Sequence, residues 1–275
     1  MNTTNTGFVT VNGAQVYYET AGTGEVVILG HAGFVDSGMW DAQWSALAQQ
    51  FKVVRYDMLG FGKSDAAAGP VSRRAELESV LQQLDIHTAH LIGCSMSGAT
   101  MLDFTLEHPE RVQSLTIVSA VPGGFEMQGP PPPHIFEMFG ALQQGDEVLA
   151  SELQMRIWID GGQRQPEQVD PQVRQRAAIM TRIPIARRTT LIVDSQQVNP
   201  LTPPAVNRLD EINCPTLIVA GALDHPEVLR AAEVMTAEIK SAKKIIVPNA
   251  AHIPNMEQPT IFNESVFGFL QKQKN

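Results

Sequence analysis

Three residues far apart in the chain have the makings of nucleophilic catalysis: a serine within Gly93-Cys94-Ser95-Met96-Ser97-Gly98, an acid at Asp224 and a histidine at His252. A serine hydroxyl is a poor nucleophile at neutral pH. It needs a base to take its proton, and the base needs a carboxylate to fix its tautomer and stabilise its charged form. Ser95 stands where an apolar run, His90 to Cys94, passes straight into a helical run from Ser97 to about Glu107. A serine on so sharp a strand-to-helix turn is held in a strained conformation, its hydroxyl exposed and the helix N-terminus beneath it. The small side chains of Gly93, Ser97 and Gly98 allow strand and helix to approach, with Ser97 in the place where the pattern G-x-S-x-G has its second glycine. Asp224 and His252 each follow a further apolar run, so the sequence puts all three groups at strand ends.

The elements that must position them alternate. Phe8–Val11, Gln15–Glu19 and Val26–Leu29 read as strands, the first two joined by an Asn12-Gly13 hairpin turn. Trp40, Trp44 and Leu47 then share a helical face, and Lys52–Tyr56 is a strand. Leu77, Val80, Leu81 and Leu84 form a second helical stripe, and Val112–Val118 is the strand after the Ser95 helix. Near the C-terminus Thr216–Ala220 and Lys244–Val247 are strands, and Pro226 and Pro259 each open a helix. Short apolar strands alternating with helices imply a mostly parallel sheet flanked by helices, an α/β fold. Between Pro122 and Pro204 no strand is expected. Helical stripes there, including Ile135, Met138, Phe139 and Leu142, predict a helical cap inserted between strands. The expected organisation is a core of residues 1–122 and 205–275 with a cap of residues 123–204.

The chain order Ser, Asp, His, with acid and base after the two late strands, resembles the α/β-hydrolase family, in its serine-nucleophile, esterase- and lactonase-like branch. The resemblance extends to Leu29-Gly30-His31-Ala32-Gly33-Phe34 and to Arg55 through Asp65, so it covers nearly the whole chain. It implies that the backbone N–H groups of Gly33 and Met96 form the oxyanion hole. Ala32 departs from the family's usual glycine, and alanine does not reach positive φ cheaply. The resemblance further implies a metal-independent enzyme without a cofactor, acting on a small-molecule ester or lactone through an acyl-enzyme. Phe34, Phe136, Phe139 and Trp158 are the expected pocket residues.

Other features are read structurally. His31 is expected to be a loop residue, and His87, His90, His108 and His134 surface or helix-end groups. His225 precedes Pro226 at a helix start, and Asp103, Asp194 and Asp210 lie off the strand ends, leaving Asp224 as the acid. Gly60-Phe61-Gly62-Lys63-Ser64 lacks the spacing of a phosphate loop, because Asp57 stands where its first glycine belongs. Cys94 is expected to be a packing thiol. Two distant cysteines, Cys94 and Cys214, argue against a disulfide framework or zinc site and for a reducing compartment. With 29 acidic against 20 basic residues, net charge -9, nucleic acid is not an expected partner. No apolar run reaches the length of a bilayer span, and a cytoplasmic protein without membrane contact is expected. The sequence leaves the oligomeric state open.

Three other activities share such a triad: carbon–carbon bond hydrolysis, haloperoxidase-like perhydrolysis, and ligand sensing with slow turnover. A longer glycine-rich run than His31-Ala32-Gly33-Phe34 is frequent in the family's carbon–carbon hydrolases, which weighs toward ester or lactone.

Overall fold

The computed structural model describes residues 3–273. Its strands and helices alternate in chain order: β1 (Asn5–Val11), β2 (Ala14–Ala21), β3 (Val26–Gly30), α1 (Asp41–Leu47), β4 (Lys52–Tyr56), α2 (Arg73–Gln83), β5 (Ala89–Cys94), α3 (Met96–Glu107) and β6 (Val112–Val118). Five helices follow without an intervening strand: α4 (Ile135–Gln144), α5 (Glu147–Gln154), α6 (Pro171–Met180), α7 (Arg182–Ala186) and α8 (Thr189–Ile192), with a turn of π-helix at Met155–Asp160. The sheet then resumes with β7 (Thr216–Gly221), α9 (Pro226–Glu238), β8 (Ala242–Val247), α10 (Pro254–Glu257) and α11 (Pro259–Gln271).

The eight strands form one sheet in the order β1-β2-β4-β3-β5-β6-β7-β8. β2 runs antiparallel to both its neighbours, and β3 to β8 are parallel. Asn12 and Gly13 both adopt positive φ, 50° and 83°, in the tight turn that starts the sheet. Alternate residues of each central strand feed opposite faces, as the two-residue strand period requires. Val27, Leu29, Val53, Ile92, Val118, Leu217 and Val219 pack with Trp44, Leu47, Phe262 and Val266 of α1 and α11. Ile28, Val54, Leu91, Ile117 and Ile218 pack with Leu77, Val80, Met101, Phe104 and Met235 of α2, α3 and α9. Each fully buried aliphatic or aromatic side chain contributes roughly 1.5–3 kcal/mol, so the two layers stabilise the sheet from both sides.

The helices between β6 and β7 divide their apolar residues. Met138, Ala141, Leu142, Leu153, Ile157 and Ile185 form a small core of their own. Met155, Ile159, Val173, Ala177 and Met180 instead join the cluster on the α1/α11 face of the sheet. His90 departs from expectation. It is fully buried in β5, with Nδ1 2.8 Å from Ser114 Oγ, because an inner strand of a two-faced sheet has no solvent side. Among the described residues no helix is long and apolar enough to cross a membrane.

At the join of β5 and α3 the backbone itself fills the space. A Cβ added to Gly93 would lie 2.5 Å from Ser97 O and 2.7 Å from Gly98 N. Gly93→Ala is therefore expected to destabilise the protein by about 1 to 3 kcal/mol, the ordinary cost of overpacking. Gly69→Ala, with nothing within 4 Å, should stay within about 0.5 kcal/mol. Urea unfolding of the two variants checks the contrast, and equal midpoints would contradict it.

Candidate active site

The serine is positioned by the turn. Ser95 has φ 53° and ψ −114°, and stands between the last residue of β5 and the first of α3. A non-glycine residue holds such a conformation only where its surroundings over-determine it. Here Ser95 N donates to Val118 O of the neighbouring strand at 2.8 Å, and Ala99 N donates to Ser95 O at 3.0 Å. Ser97 Oγ donates to His31 O at 2.6 Å, tying α3 to the loop after β3. The serine at the place of the second glycine thus makes a bond that glycine could not.

The loops that carry Asp224 and His252 are built against each other. Leu223 N donates to Ala250 O at 2.8 Å and Ala222 N to Val247 O at 2.9 Å. A side chain at Gly221 would run into the carbonyls of Ala250 and Ala251. This brings Asp224 and His252, each 4% exposed, into line with the serine. His252 Nε2 lies 2.9 Å from Ser95 Oγ, and Nδ1 lies 3.0 Å from both carboxylate oxygens of Asp224. An ionised carboxylate only accepts, so Nδ1 carries the proton and Nε2 is left to accept from the serine hydroxyl. His225 N donates to Asp224 Oδ1 at 2.7 Å, a second bond that fixes the acid.

His31, as expected, is structural. It is buried, Nδ1 lies 2.8 Å from Ala32 O and Nε2 accepts from Met58 N at 3.0 Å. Burial lowers its pKa to about 4, which keeps the ring neutral and able to accept. Neither Ala32 nor Gly33 adopts positive φ, so alanine fits its position without strain. Gly33 faces Met96: a Cβ there would lie 2.5 Å from Met96 Cε. Met96 opens α3, and the N–H of a first helical residue has no partner within its helix.

The Gly60–Ser64 segment wraps a carboxylate rather than a phosphate. Lys63 N donates to Asp57 Oδ2 at 2.8 Å, and a side chain at Gly62 would collide with the same group. Asp103 and Asp194, excluded as the acid, are paired with Arg74 and Arg73 at 3.3 and 2.8 Å.

A pocket of about 220 Å³ opens at Ser95, lined by Met96, Ala99, Ser119, Val121, Met127, Pro132, Trp158, His225, Val228 and His252. Of the four expected pocket residues, Trp158 lines it, and Phe34 stands behind it, stacked on Trp158 with ring centroids 6.0 Å apart. The other two are corrected. Phe136 is 76% exposed on the outer side of α4, and Phe139 packs against the separate core of the helical segment. The reason is the amphipathic turn of α4, whose inner stripe meets α5 rather than the sheet. His225, set aside as a helix-start residue, both accepts from Glu227 N through Nδ1 and lines the pocket. Ser119 and Val121 follow β6 as Ser95 follows β5, and adjacency of strand ends is the signal that would have found them. A larger groove of about 390 Å³ shares Met96, Ala99 and Val121 with this pocket and continues past Arg73, Arg74, Asp103 and Asp194.

Comparison with known proteins gives relatives over nearly the full length. The chain is 28% identical over 282 residues to a 2-hydroxy-6-oxo-6-phenylhexa-2,4-dienoate hydrolase of Burkholderia cepacia, covering 97% of this chain and 96% of the relative. It is 30% identical over 231 residues to a 2-hydroxy-6-oxononadienedioate/2-hydroxy-6-oxononatrienedioate hydrolase of Klebsiella pneumoniae, covering 81% and 77%. Among solved structures, a hydrolase from Pseudomonas aeruginosa superposes with a TM-score of 0.79 at 25% identity, over 97% of this chain and 98% of the other. The family model for the alpha/beta hydrolase fold matches residues 25–259, and with the sheet order and the strand-turn-helix at Ser95 already in hand, this chain belongs to that family.

Proposed function

We propose that this chain is a metal-independent serine hydrolase that cleaves a carboxylic ester or lactone through an acyl-enzyme. The observation that carries the reading is the unbroken line from Ser95 Oγ through His252 to Asp224, at 2.9 and 3.0 Å. Ser95 Oγ attacks the carbonyl carbon while its proton passes to His252 Nε2. The oxyanion is received by the N–H groups of Gly33 and Met96. Collapse breaks the carbon–oxygen bond, and the imidazolium returns the proton to the departing alkoxide. Water, deprotonated by His252, then attacks the acyl-enzyme and frees the acid and Ser95.

A second reading, carbon–carbon bond hydrolysis, is favoured by the curated relatives, whose names describe dienoate and dienedioate substrates. Such substrates carry a carboxylate, and a lysine or arginine gives the strongest hydrogen bonds to one. Among the described residues, the pocket at Ser95 has neither lysine nor arginine in its lining. In the adjoining groove, Arg73 pairs with Glu76 and Asp194, and Arg74 with Asp103 and Glu107. This charge balance supports a neutral ester or lactone. Cys94 does not compete as nucleophile: it is buried, and desolvation, with the nearby charge of Asp224, pushes its thiol well above the ordinary range.

Alkanoyl esters and lactones are expected to exceed 2-hydroxy-6-oxo-6-phenylhexa-2,4-dienoate in kcat/KM by at least roughly ten-fold, about 1.4 kcal/mol of discrimination. The reverse ranking would replace the ester reading with the carbon–carbon one. A fluorophosphonate is expected to label Ser95, and Ser95→Ala to abolish labelling and turnover together. Asp224→Asn should fold normally yet lose on the order of 10³ to 10⁴ in kcat, the magnitude known from the serine-protease triad. Near-normal turnover would remove Asp224 from the mechanism. Trp158→Ala is expected to shift acyl-chain preference by roughly 10 to 200-fold in kcat/KM, whereas Phe139→Ala, outside the pocket, should leave it unchanged. Rates across acetyl to octanoyl esters decide this, and equal profiles for the two variants would deny Trp158 a role in selectivity.

A further inference from the structure

The mechanism above leaves unused a buried ion pair beside the histidine loop. Glu257, the last residue of α10, has a side chain only 4% exposed. Its Oε1 accepts from the N–H of Ala251, the residue before His252, at 2.8 Å. Its Oε2 accepts from Arg164 Nη2 at 2.6 Å. Arg164 lies in the helical segment between β6 and β7 and makes three further bonds. Nη2 donates to Ile159 O at 2.6 Å, Nε to Asp160 O at 2.9 Å and Nη1 to Asn249 O at 3.4 Å. One guanidinium thus holds the last carbonyls of the π-helical turn, the start of the histidine loop and the Glu257 carboxylate.

The π-helical turn reaches His252 by two routes of its own. The N–H of His252 donates to Trp158 O at 3.2 Å, and the Trp158 and His252 rings lie 4.7 Å apart. Gly161, with φ 67°, seats the end of the turn between the two catalytic loops: a Cβ there would lie 2.6 Å from Leu223 O and 3.1 Å from Ala251 Cβ. π-helical turns are rare and recur at functional sites.

Resting on the serine-hydrolase reading, we propose that Glu257 and Arg164 are positioning residues for His252, forming a latch by which the helical cap holds the imidazole in line with Ser95. Neither touches the reacting atoms. The latch acts through the backbone of Ala251 and His252, and its strength depends on the charge of Glu257. Burial raises the Glu257 carboxyl to about 7; Arg164 and the Ala251 N–H oppose the rise, and Asp224 adds to it. The ionised, latched form therefore prevails above pH 7 and is lost as pH falls through that value.

The test is the rate of Ser95 modification by a small fluorophosphonate and the turnover of an acetyl ester, measured from pH 5.5 to 9 for the full-length protein and for Glu257→Gln. Glutamine keeps an oxygen for the Ala251 N–H and removes the charge. At pH 8 to 9 the variant should lose on the order of 10 to 100-fold in both rates, as expected when a catalytic group is displaced by less than an ångström or so, with KM within about two-fold. The ratio of wild type to variant should then shrink toward one below pH 6, where wild-type Glu257 is itself neutral. Arg164→Ala should reproduce the loss, and the double variant should be no worse than either single one, since both break the same contact. A pH-independent ratio, a ratio near one throughout, or additive losses in the double variant would each overturn the latch. If Glu257→Gln does not fold, Arg164→Ala carries the same pH comparison. A wild type that resists labelling removes the triad reading and the latch with it; a labelled wild type with a flat ratio removes the latch alone.

Discussion

The structure depends above all on the closeness of β5 and α3. Because Gly93 and Gly98 have no side chains, the first turn of α3 sits directly on the strand it follows, and the connecting residue turns at φ 53°. The strain at Ser95 is compensated by bonds on either side, to Val118 O across the sheet and from Ala99 N along the helix. The same closeness brings Ser97 against the loop after β3, where it bonds His31 O and sets Gly33 against Met96. Two loops of the site, the turn at Ser95 and the loop after β3, are thus located by one packing contact.

Much of this was legible in the sequence because it rests on local chemistry. Positive φ at Asn12 and Gly13, proline at the first turn of α9 and α11, and small residues around Ser95 are signals that a few neighbouring residues carry. The alternation of apolar runs gave the parallel sheet for the same reason: a strand buried on both faces must be apolar along its length. What was not legible is which element a helical stripe meets. Phe139 shares the period of a buried face with Ile135, Met138 and Leu142, yet α4 turns that face to α5 and leaves Phe136 exposed on the other side. His90 was misread because a polar residue in a buried strand is indistinguishable from one at an edge until its partner, Ser114, is known. The place of His225 in the pocket lining and the pairing of Glu257 with Arg164 bring together residues far apart in sequence, and no spacing rule encodes them.

The helical segment between β6 and β7 is neither independent of the sheet nor merely laid upon it. Its outer helices close on their own apolar cluster, while Met155 and Ile159 of the π-helical turn enter the core on the α1/α11 face of the sheet. Trp158 lies between those two anchors, and its ring is presented to His252 while its carbonyl holds the histidine backbone. Trp158 thereby both lines the pocket at Ser95 and holds the His252 backbone, so on the proposed reading one residue serves the substrate pocket and the base together.

The order of strands in the sheet also governs when the site exists. Ser95 and its strained turn need only β5, α3 and the neighbouring β6, whereas Asp224 and His252 follow β7 and β8 at the far side of the parallel array. Parallel pairing over such sequence separations is slow to form, because the loop entropy must be met before the contacts reward it. On the serine-hydrolase reading proposed above, the emerging chain therefore carries Ser95 before the histidine that would activate it is in place. On that reading a reactive serine reports that β7 and β8 have joined the sheet, because Asp224 and His252 follow those two strands.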